Sequence, residues 1–468
     1  MRNGTAVAPD ATSRLQQYRS ACALALAGDV HSALPAFRRY VAGYPDDAAA
    51  HSYLLFLLHS VEDISQEQIF AEHLRWSARH GLSLASKHRA NASDAERVLR
   101  VGYVSADYRA GHPVMYFFEP VLRARDRSRF HVTCYSNVAI PDAVTGQVRL
   151  LADEWREIRG RPDDEVVAQI LADRIDILVD LAGHCGGSRL KVFAGKPAPV
   201  QVTWLGYPDT TGLSAIDYRI TDAIVDPPGL SERFHTEQLV RLEPPGFLCY
   251  QPPAAAPPVS DLPASRAGYV TFGCFQYPGK ITARMIENWA RIMLGVPSSR
   301  LFLHHCFSDY AEPQGAVRNR LCAAFEGRGI SADRLTFVGG VPSLRSHLEL
   351  YSQVDMALDT SPFNGTTTTC EALWMGVPVI TKAGHAHAGR VGASLLNQVG
   401  LDNLVTATDR EYCEFATELA SDLPRLTGIR AGLRAALTQS SLLDASGFTR
   451  KLENRFLRMW RDFCGAAD

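Results

Sequence analysis

Hydrophobic positions change their spacing twice along the chain. Over residues about 12–90 they recur at helical intervals, without a convincing strand. From Val98 short apolar runs alternate with helical segments, and a second series of this kind follows a Pro- and Ala-rich stretch that begins near residue 251. The pattern therefore predicts a helical region followed by two α/β domains.

The helical region contains one segment with the features of a repeat. Small residues at Ala25 and Ala33, an aromatic ring at Phe37 and Pro45 ahead of the next helix are typical of a tetratricopeptide unit of about 34 residues. An unrelated helical subdomain is the alternative. One full unit is too little for a free-standing solenoid, so we expect this region to pack on the part that follows.

Each later segment is predicted to form a parallel sheet covered by helices on both faces. The predicted strands lie at 98–107, 131–137, 176–183 and 199–206, and then at 269–275, 300–306, 334–340, 354–360 and 378–384. The fold class is therefore α/β, with two Rossmann-like domains facing a cleft behind a short helical region. The predicted boundaries are 1–95 (helical), 96–250 (first domain), 251–266 (linker), 267–442 (second domain) and 443–468, an amphipathic helix able to return to the first domain.

The segment VDMALDTSPFNGTTTTCEALWMGVP, residues 354–378, carries the strongest chemical signal. It predicts a buried strand, a loop, four threonines and a helix that opens at Cys370-Glu371. Backbone N–H groups, hydroxyls and a helix N-terminus then meet at one spot, which suits a phosphate. Glu371, one turn into the helix, is placed to accept the two hydroxyls of a ribose. A single Thr N-cap is the ordinary alternative, but four hydroxyls exceed one cap and favour a nucleotide-diphosphate site.

Five other residues join the candidate sites. Lys280 follows a predicted strand, as the threonines do, so both can reach one diphosphate; a surface lysine is the alternative. His347, early in a predicted helix, can pack against a base. In the first domain His112 precedes Pro113 at a strand-to-helix loop, where a neutral imidazole can serve as a base. Gly183 and His184 form a similar Gly-rich turn on the acceptor side of the cleft.

Composition narrows the class of protein. A net charge of −2 gives no sign of a nucleic-acid partner, and no apolar run is long enough to span a membrane. Ten cysteines without a Cys-x-x-Cys pair indicate reduced thiols and a cytoplasmic location. The dinucleotide fingerprint Gly-x-Gly-x-x-Gly and an Asp-x-Asp metal motif are both absent from the sequence, so we expect no metal and no other cofactor.

Five segments together resemble the O-linked N-acetylglucosamine transferase and SPINDLY family, glycosyltransferase family 41, in its bacterial form. They are RVGYVSADYRAGHPV, DILVDLAGHCGGSRLKVFAGKPAPVQVTWLGYPDTTG, DYRITD, VDMALDTSPFNGTTTTCEALWMGVPVIT and GRVGASLL. The resemblance covers about Leu99 to Leu419. It implies a GT-B fold, independence of metal, and transfer of a sugar, with inversion, from a nucleotide diphosphate to Ser/Thr hydroxyls of proteins.

The resemblance also implies residue roles. His112 matches a histidine at the catalytic centre, Lys280 a lysine on the donor diphosphate and His347 the histidine beside the base. Thr367 and Thr368 match the paired threonines that hold the phosphates, with Gly365 and Thr366 beside them as further donor-binding candidates. Glu371 falls where the animal enzymes place an Asp on the ribose. Leu344 stands where those enzymes have a base-contacting Lys, and Thr366 where they have His.

These features predict an inverting transferase that moves N-acetylglucosamine from UDP-N-acetylglucosamine to proteins. Its partners are then a nucleotide-sugar donor and a protein acceptor. Three alternatives stay open: another donor such as GDP-fucose or UDP-glucose, a non-protein acceptor, or a non-catalytic helical interaction protein with a degenerate transferase domain. The sequence leaves the oligomeric state open.

Overall fold

The computed structural model describes residues 11–81, 96–244, 246–304 and 314–465. The predicted regions 1–95 and 443–468 therefore extend beyond the described residues, at 1–10, 82–95 and 466–468. Within the described ranges, none of the helices combines the length and the hydropathy that crossing a bilayer requires.

Four consecutive helices form the start of the described chain: α1 Ala11–Leu26, α2 Val30–Gly43, α3 Ala48–Leu58 and α4 Gln66–His80. Side chains of Asp29 and Asp47 accept backbone N–H groups at the starts of α2 and α3, and Ser65 forms a capping box at α4. Leu55, Leu58, Ile69 and Trp76 share one apolar core with the first α/β domain. The helical region therefore packs on the domain that follows it.

The first domain is a seven-stranded parallel sheet in the order β3-β2-β1-β4-β5-β6-β7. Its strands are β1 Leu99–Ser105, β2 Phe130–Ser136, β3 Glu154–Glu157, β4 Ile177–Asp180, β5 Val200–Thr203, β6 Tyr218–Thr221 and β7 Gln238–Arg241. Its helices are α5 Met115–Ala124, α6 Ala143–Leu151, α7 Asp163–Ala172 and α8 Leu190–Ala194. The strand order reverses direction between β1 and β4, which makes this edge the expected ligand position.

The second domain repeats this plan with six parallel strands in the order β10-β9-β8-β11-β12-β13. The strands are β8 Thr271–Cys274, β9 Arg300–His304, β10 Leu335–Val338, β11 Met356–Leu358, β12 Val379–Lys382 and β13 Val405–Thr406. The helices are α9 Ala264–Ala267, α10 Ala283–Gly295, α11 Gln314–Glu326, α12 Leu344–Glu349, α13 Thr367–Trp374, α14 Val391–Gln398, α15 Asp409–Ser421 and α16 Leu423–Gln439. Two Rossmann-like sheets behind a helical region confirm the predicted fold class.

The last described helix, α17 Ala445–Cys464, packs on the first domain. Phe448, Leu452, Phe456 and Trp460 are buried in the core that the strands of the first sheet build. The Asp126 N–H donates to the Glu453 carboxylate at 2.9 Å. The chain thus crosses twice between the two domains.

Candidate functional site

The second sheet brings two loops together where its strand order reverses. Gln276 and Lys280 follow the carboxyl end of β8, and Asp359 and the threonine loop follow β11, its neighbour in the sheet. Carboxyl ends of adjacent parallel strands on either side of a reversal form a crevice, which is the usual ligand position in such sheets.

Lys280 lies in this crevice, at the end of the 3₁₀ turn Pro278–Lys280. Its ammonium donates to the Asn364 carbonyl at 2.7 Å and lies 3.7 Å from the centroid of the Phe363 ring. Lys280 is therefore joined to the loop that carries the threonines. Burial lowers the pKa of Lys280 to about 8, against the attraction of the Asp359 carboxylate.

The helix after the threonine loop begins earlier than predicted. Thr366 is the N-cap of α13 and Thr367 its first residue, so the predicted start at Cys370-Glu371 was wrong. One turn of β-branched residues forms here because the loop before it is held: the Gly365 N–H donates to the Asp359 carboxylate at 2.8 Å. Burial raises the pKa of Asp359 to about 6.

The hydroxyls of the first turn of α13 differ in their partners. Thr368 Oγ1 accepts a hydrogen bond from the Gln276 amide at 2.6 Å. The hydroxyls of Thr367 and Thr369 are buried and have no hydrogen-bond partner among the described residues. A buried hydroxyl without a partner is costly, and an anionic ligand at this helix N-terminus would supply an acceptor.

Gly365 leaves no room for a side chain beside these hydroxyls. A Cβ there would collide with the Gln276 amide and would lie 2.7 Å from Thr368 Oγ1 and 2.9 Å from Thr369 Oγ1. The backbone must therefore come close to the crevice floor, as a loop that binds phosphate through its N–H groups requires.

Gly365→Ala is expected to weaken binding of a nucleotide diphosphate at least tenfold, because it displaces Gln276 and the first turn of α13. The dissociation constant can be measured by calorimetry. The matched control is Gly428→Ala, at an exposed helical position where a new Cβ meets nothing within 4 Å. That change should leave binding intact and add about 0.5–1 kcal/mol to the free energy of unfolding. Equal affinity in both variants would contradict a diphosphate site at Gly365.

His347 and Glu371 form a buried pair, and Glu371 lies one turn along α13 from Thr367. His347 Nε2 lies 2.9 Å from Glu371 Oε2, and its Nδ1 lies 3.0 Å from His304 Nε2. His304 Nδ1 is 3.0 Å from the Val338 carbonyl and must donate to it. With His304 neutral, its Nε2 accepts from His347 Nδ1, so a further proton lies between His347 and Glu371. The chain of contacts fixes the orientation of both predicted residues.

In the first domain His112 contacts a carboxylate that the sequence analysis did not single out. His112 Nε2 lies 3.2 Å from Asp107 Oδ1, and the Val114 N–H points to His112 Nδ1 at 3.4 Å. Burial lowers the pKa of His112 to about 3 and raises the pKa of Asp107 to about 7. The Asp107 carboxyl therefore loses its proton near pH 7, beside an imidazole that stays neutral, and the carboxylate can then accept a proton.

Gly183 and His184 lie deeper than the predicted position on the acceptor side implies. His184 is 2% exposed, its Nδ1 lies 3.0 Å from Ser52 Oγ of α3 and its Nε2 2.9 Å from the Thr211 carbonyl. Gly183 has φ +52°, and a Cβ there would collide with Tyr207. His184 holds the helical region against the first domain, whereas Gly183 packs on Tyr207 within that domain, and an acceptor role for both residues stays a prediction.

Three residues of the crevices were absent from the sequence prediction. Gln276, Asp359 and Asp107 each stand one or two residues after a strand: β8, β11 and β1. Polar residues directly after buried parallel strands are the signal that would have found them, because those strand ends face the ligand.

Comparison with known proteins matches both domains to a known protein family. Residues 65–248 and 261–452 match the sequence profile described as glycosyl transferase family 41. The chain belongs to glycosyltransferase family 41. The profile covers both sheets and α4, together with the start of α17.

Individual proteins that are similar to this chain also belong with this family by their names. A probable UDP-N-acetylglucosamine–peptide N-acetylglucosaminyltransferase SPINDLY of Petunia hybrida is 41% identical over 90% of this chain and 45% of its own length. The corresponding SEC protein of Arabidopsis thaliana is 31% identical over 78% of the chain and 37% of its length. The chain thus spans less than half the length of these curated relatives. A mutant O-GlcNAc transferase of Thermobaculum terrenum superposes with a TM-score of 0.90 at 38% identity, covering 97% of this chain and 85% of that one.

Proposed function

We propose that this family 41 member transfers N-acetylglucosamine from UDP-N-acetylglucosamine to Ser/Thr hydroxyls of proteins, with inversion and without a catalytic metal. The observation that carries the proposal is the contact of Lys280 with the loop at the N-terminus of α13. The names of the relatives at 31% to 41% identity support this donor and a peptide acceptor.

In this proposal Lys280 stabilises the leaving group of the reaction. As the acceptor oxygen bonds to the anomeric carbon, the bond from that carbon to the diphosphate oxygen breaks and negative charge grows on the diphosphate. The Lys280 ammonium, the Thr367 hydroxyl and the dipole of α13 converge where that charge develops. Preorganised groups of this kind usually supply the largest catalytic contribution.

The acceptor proton needs a separate site, and we assign it to the pair of His112 and Asp107. The pair lies after β1, where the strand order of the first sheet reverses. A base whose pKa lies near 7 accepts a proton efficiently at neutral pH. Inversion requires the hydroxyl and the leaving diphosphate on opposite sides of the anomeric carbon, as two facing sheets can provide.

The donor is tested by thermal unfolding with UDP, GDP, UDP-N-acetylglucosamine, UDP-glucose and GDP-fucose, each with and without EDTA. We expect UDP and UDP-N-acetylglucosamine to raise the midpoint by an amount that EDTA does not change. A ligand at a hundredfold excess over its dissociation constant stabilises by about 2.7 kcal/mol. A response to GDP and GDP-fucose alone would replace the proposed donor, and no response to any of them would support a degenerate transferase domain.

The acceptor is tested with labelled donor and a protein mixture. Label in protein, released by base as an O-linked sugar, is the expected result, whereas donor consumption without labelled protein would indicate a small-molecule or lipid acceptor. We keep the cytoplasm as the proposed location, because the nine described cysteines are free thiols, as in a reducing compartment.

A further inference from the structure

A second cluster, of three histidines and one aspartate, lies where the helical region meets the first domain. His59 follows α3 and His73 lies in α4, while Asp209 and His235 belong to loops after β5 and β6. The ligand atoms of His59, His73 and Asp209 all lie within 4.8 Å of one another. His235 Nε2 is 4.0 Å from Asp209 Oδ1. The side chains of His59 and His235 are 1% and 4% exposed.

Two of these rings are oriented by the bonds that their other nitrogens make. His73 Nδ1 lies 2.9 Å from the Ile69 carbonyl, and His235 Nδ1 lies 2.9 Å from the Ser231 carbonyl. A carbonyl only accepts, so each Nδ1 carries hydrogen and the Nε2 of each neutral ring has a lone pair that can accept a proton or bind a metal ion. Fixing the tautomer through a backbone carbonyl is the usual support of a metal-binding histidine. His235 Nε2 is also buried without a hydrogen-bond partner among the described residues.

The Tyr207 hydroxyl joins the rings of His59 and His73, and it would have to leave the His73 Nε2 for a metal ion to bind there. It lies 2.9 Å from His59 Nε2 and 2.9 Å from His73 Nε2. This bridge holds the two nitrogens facing one point, but it leaves His59 Nδ1 buried and without a partner among the described residues. Hydrogen bonds within the protein therefore satisfy only part of the cluster, because His59 Nδ1 and His235 Nε2 have no partner among the described residues.

Negative charge exceeds positive charge around the cluster. Asp209 and Glu237 act electrostatically on His73 and Asp226 acts on His235, while the guanidinium groups of Arg219 and Arg390 carry the opposing charge. Glu237 accepts from the Thr210 hydroxyl and from the N–H and hydroxyl of Thr211, as an ionised carboxylate does. Burying an uncompensated charge is costly, and a divalent cation would offset this excess.

We infer that His59, His73, His235 and Asp209 bind a divalent transition-metal ion, zinc by preference, that fastens the helical region to the first domain. Three imidazoles and one carboxylate suit zinc in tetrahedral geometry. Metal–ligand bonds of about 2.0 Å place tetrahedral ligands about 3.3 Å apart. Closing the present cluster therefore requires side-chain shifts of about 1 Å. The cluster adjoins the donor loop, because the His59 ring packs against Phe363, but the inference does not depend on the proposed reaction.

The test measures metal content and stability in the full chain, without reference to activity. Protein stripped with a chelator and reloaded with one equivalent of zinc should retain about one ion per chain after gel filtration. Its unfolding midpoint should rise by roughly 3–6 °C. Co²⁺ in place of zinc should give the visible absorption of a tetrahedral site.

Two variants and a control locate the ion. Asp209→Asn and His235→Gln should each lose the retained ion and the rise in midpoint. The control His80→Gln removes a largely buried histidine of the same helical region outside the cluster, and it should keep both. Failure of the wild-type protein to retain metal would overturn the inference even if a variant did not fold. Equal retention by Asp209→Asn and His235→Gln would likewise overturn it, because the ion would then lie elsewhere.

Discussion

Replacing Lys280 with methionine is expected to lower kcat by about 10²–10³-fold while the folded protein stays at least as stable as wild type. The loss follows from removing the ammonium that faces the leaving diphosphate. Stability is retained because burial holds the pKa of Lys280 at about 8, below its ordinary value of 10.5. The folded state therefore disfavours the charged form, and folding stability rises with pH between these two values. Methionine keeps the alkyl packing and removes the buried charge.

The pH dependence of wild-type kcat/KM supplies an independent check on Lys280. Activity should fall above about pH 8 as the free enzyme loses the Lys280 proton. Lys280→Arg should move this fall to higher pH, because a guanidinium stays protonated there.

The matched control is Lys196→Met. Lys196 is a partly buried lysine of the first domain whose ammonium pairs with Asp217, and burial lowers its pKa too. It lies outside the proposed site, so kcat should stay near that of wild type. Wild-type turnover by purified Lys280→Met would show that the phosphate assignment is wrong.

His112→Ala is expected to lower kcat by about 10²–10⁴-fold, the usual contribution of general acid–base catalysis, with little effect on donor binding. Asp107→Asn should remove the acidic limb of kcat/KM near pH 7, because the buried carboxyl that loses its proton there, beside His112, is gone. Steady-state rates across pH 5.5–9 measure both effects.

His131→Ala removes a partly exposed histidine of β2 and serves as the control for loss of an imidazole in the same domain. A change confined to the acceptor KM in His112→Ala, with kcat unchanged, would make His112 an orienting contact and exclude it as the base.

Strands with a continuous apolar run were predictable from the sequence, and strands that are very short or interrupted by charged residues were not. The runs that became β1, β2 and β8 are apolar on both faces, because helices cover both sides of a parallel sheet. β3 has the sequence EWRE and β7 the sequence QLVR, and both are only partly buried edge strands. Their residues lack the apolar run that marked the central strands, so no prediction included them.

The two predicted halves of the donor site, Lys280 and the threonine loop, came from one rule: each follows a strand. Their contact through Asn364 depends on β8 and β11 being neighbours, which periodicity cannot show. The pairing of Asp107 with His112 depends on the path of one loop. The histidine cluster around Asp209 draws on four separate segments, so its ligands have none of the short spacings by which metal motifs are recognised.

The return of α17 to the first domain has a consequence for folding during synthesis. The first sheet ends at Arg241, yet its core is closed by Phe448, Leu452, Phe456 and Trp460, about two hundred residues later. At roughly 5–20 residues per second a ribosome needs about 10–40 s to supply them. Through that interval α5 and α6 cover only part of this face of the nascent sheet, and chaperones that bind exposed apolar surface have time to act.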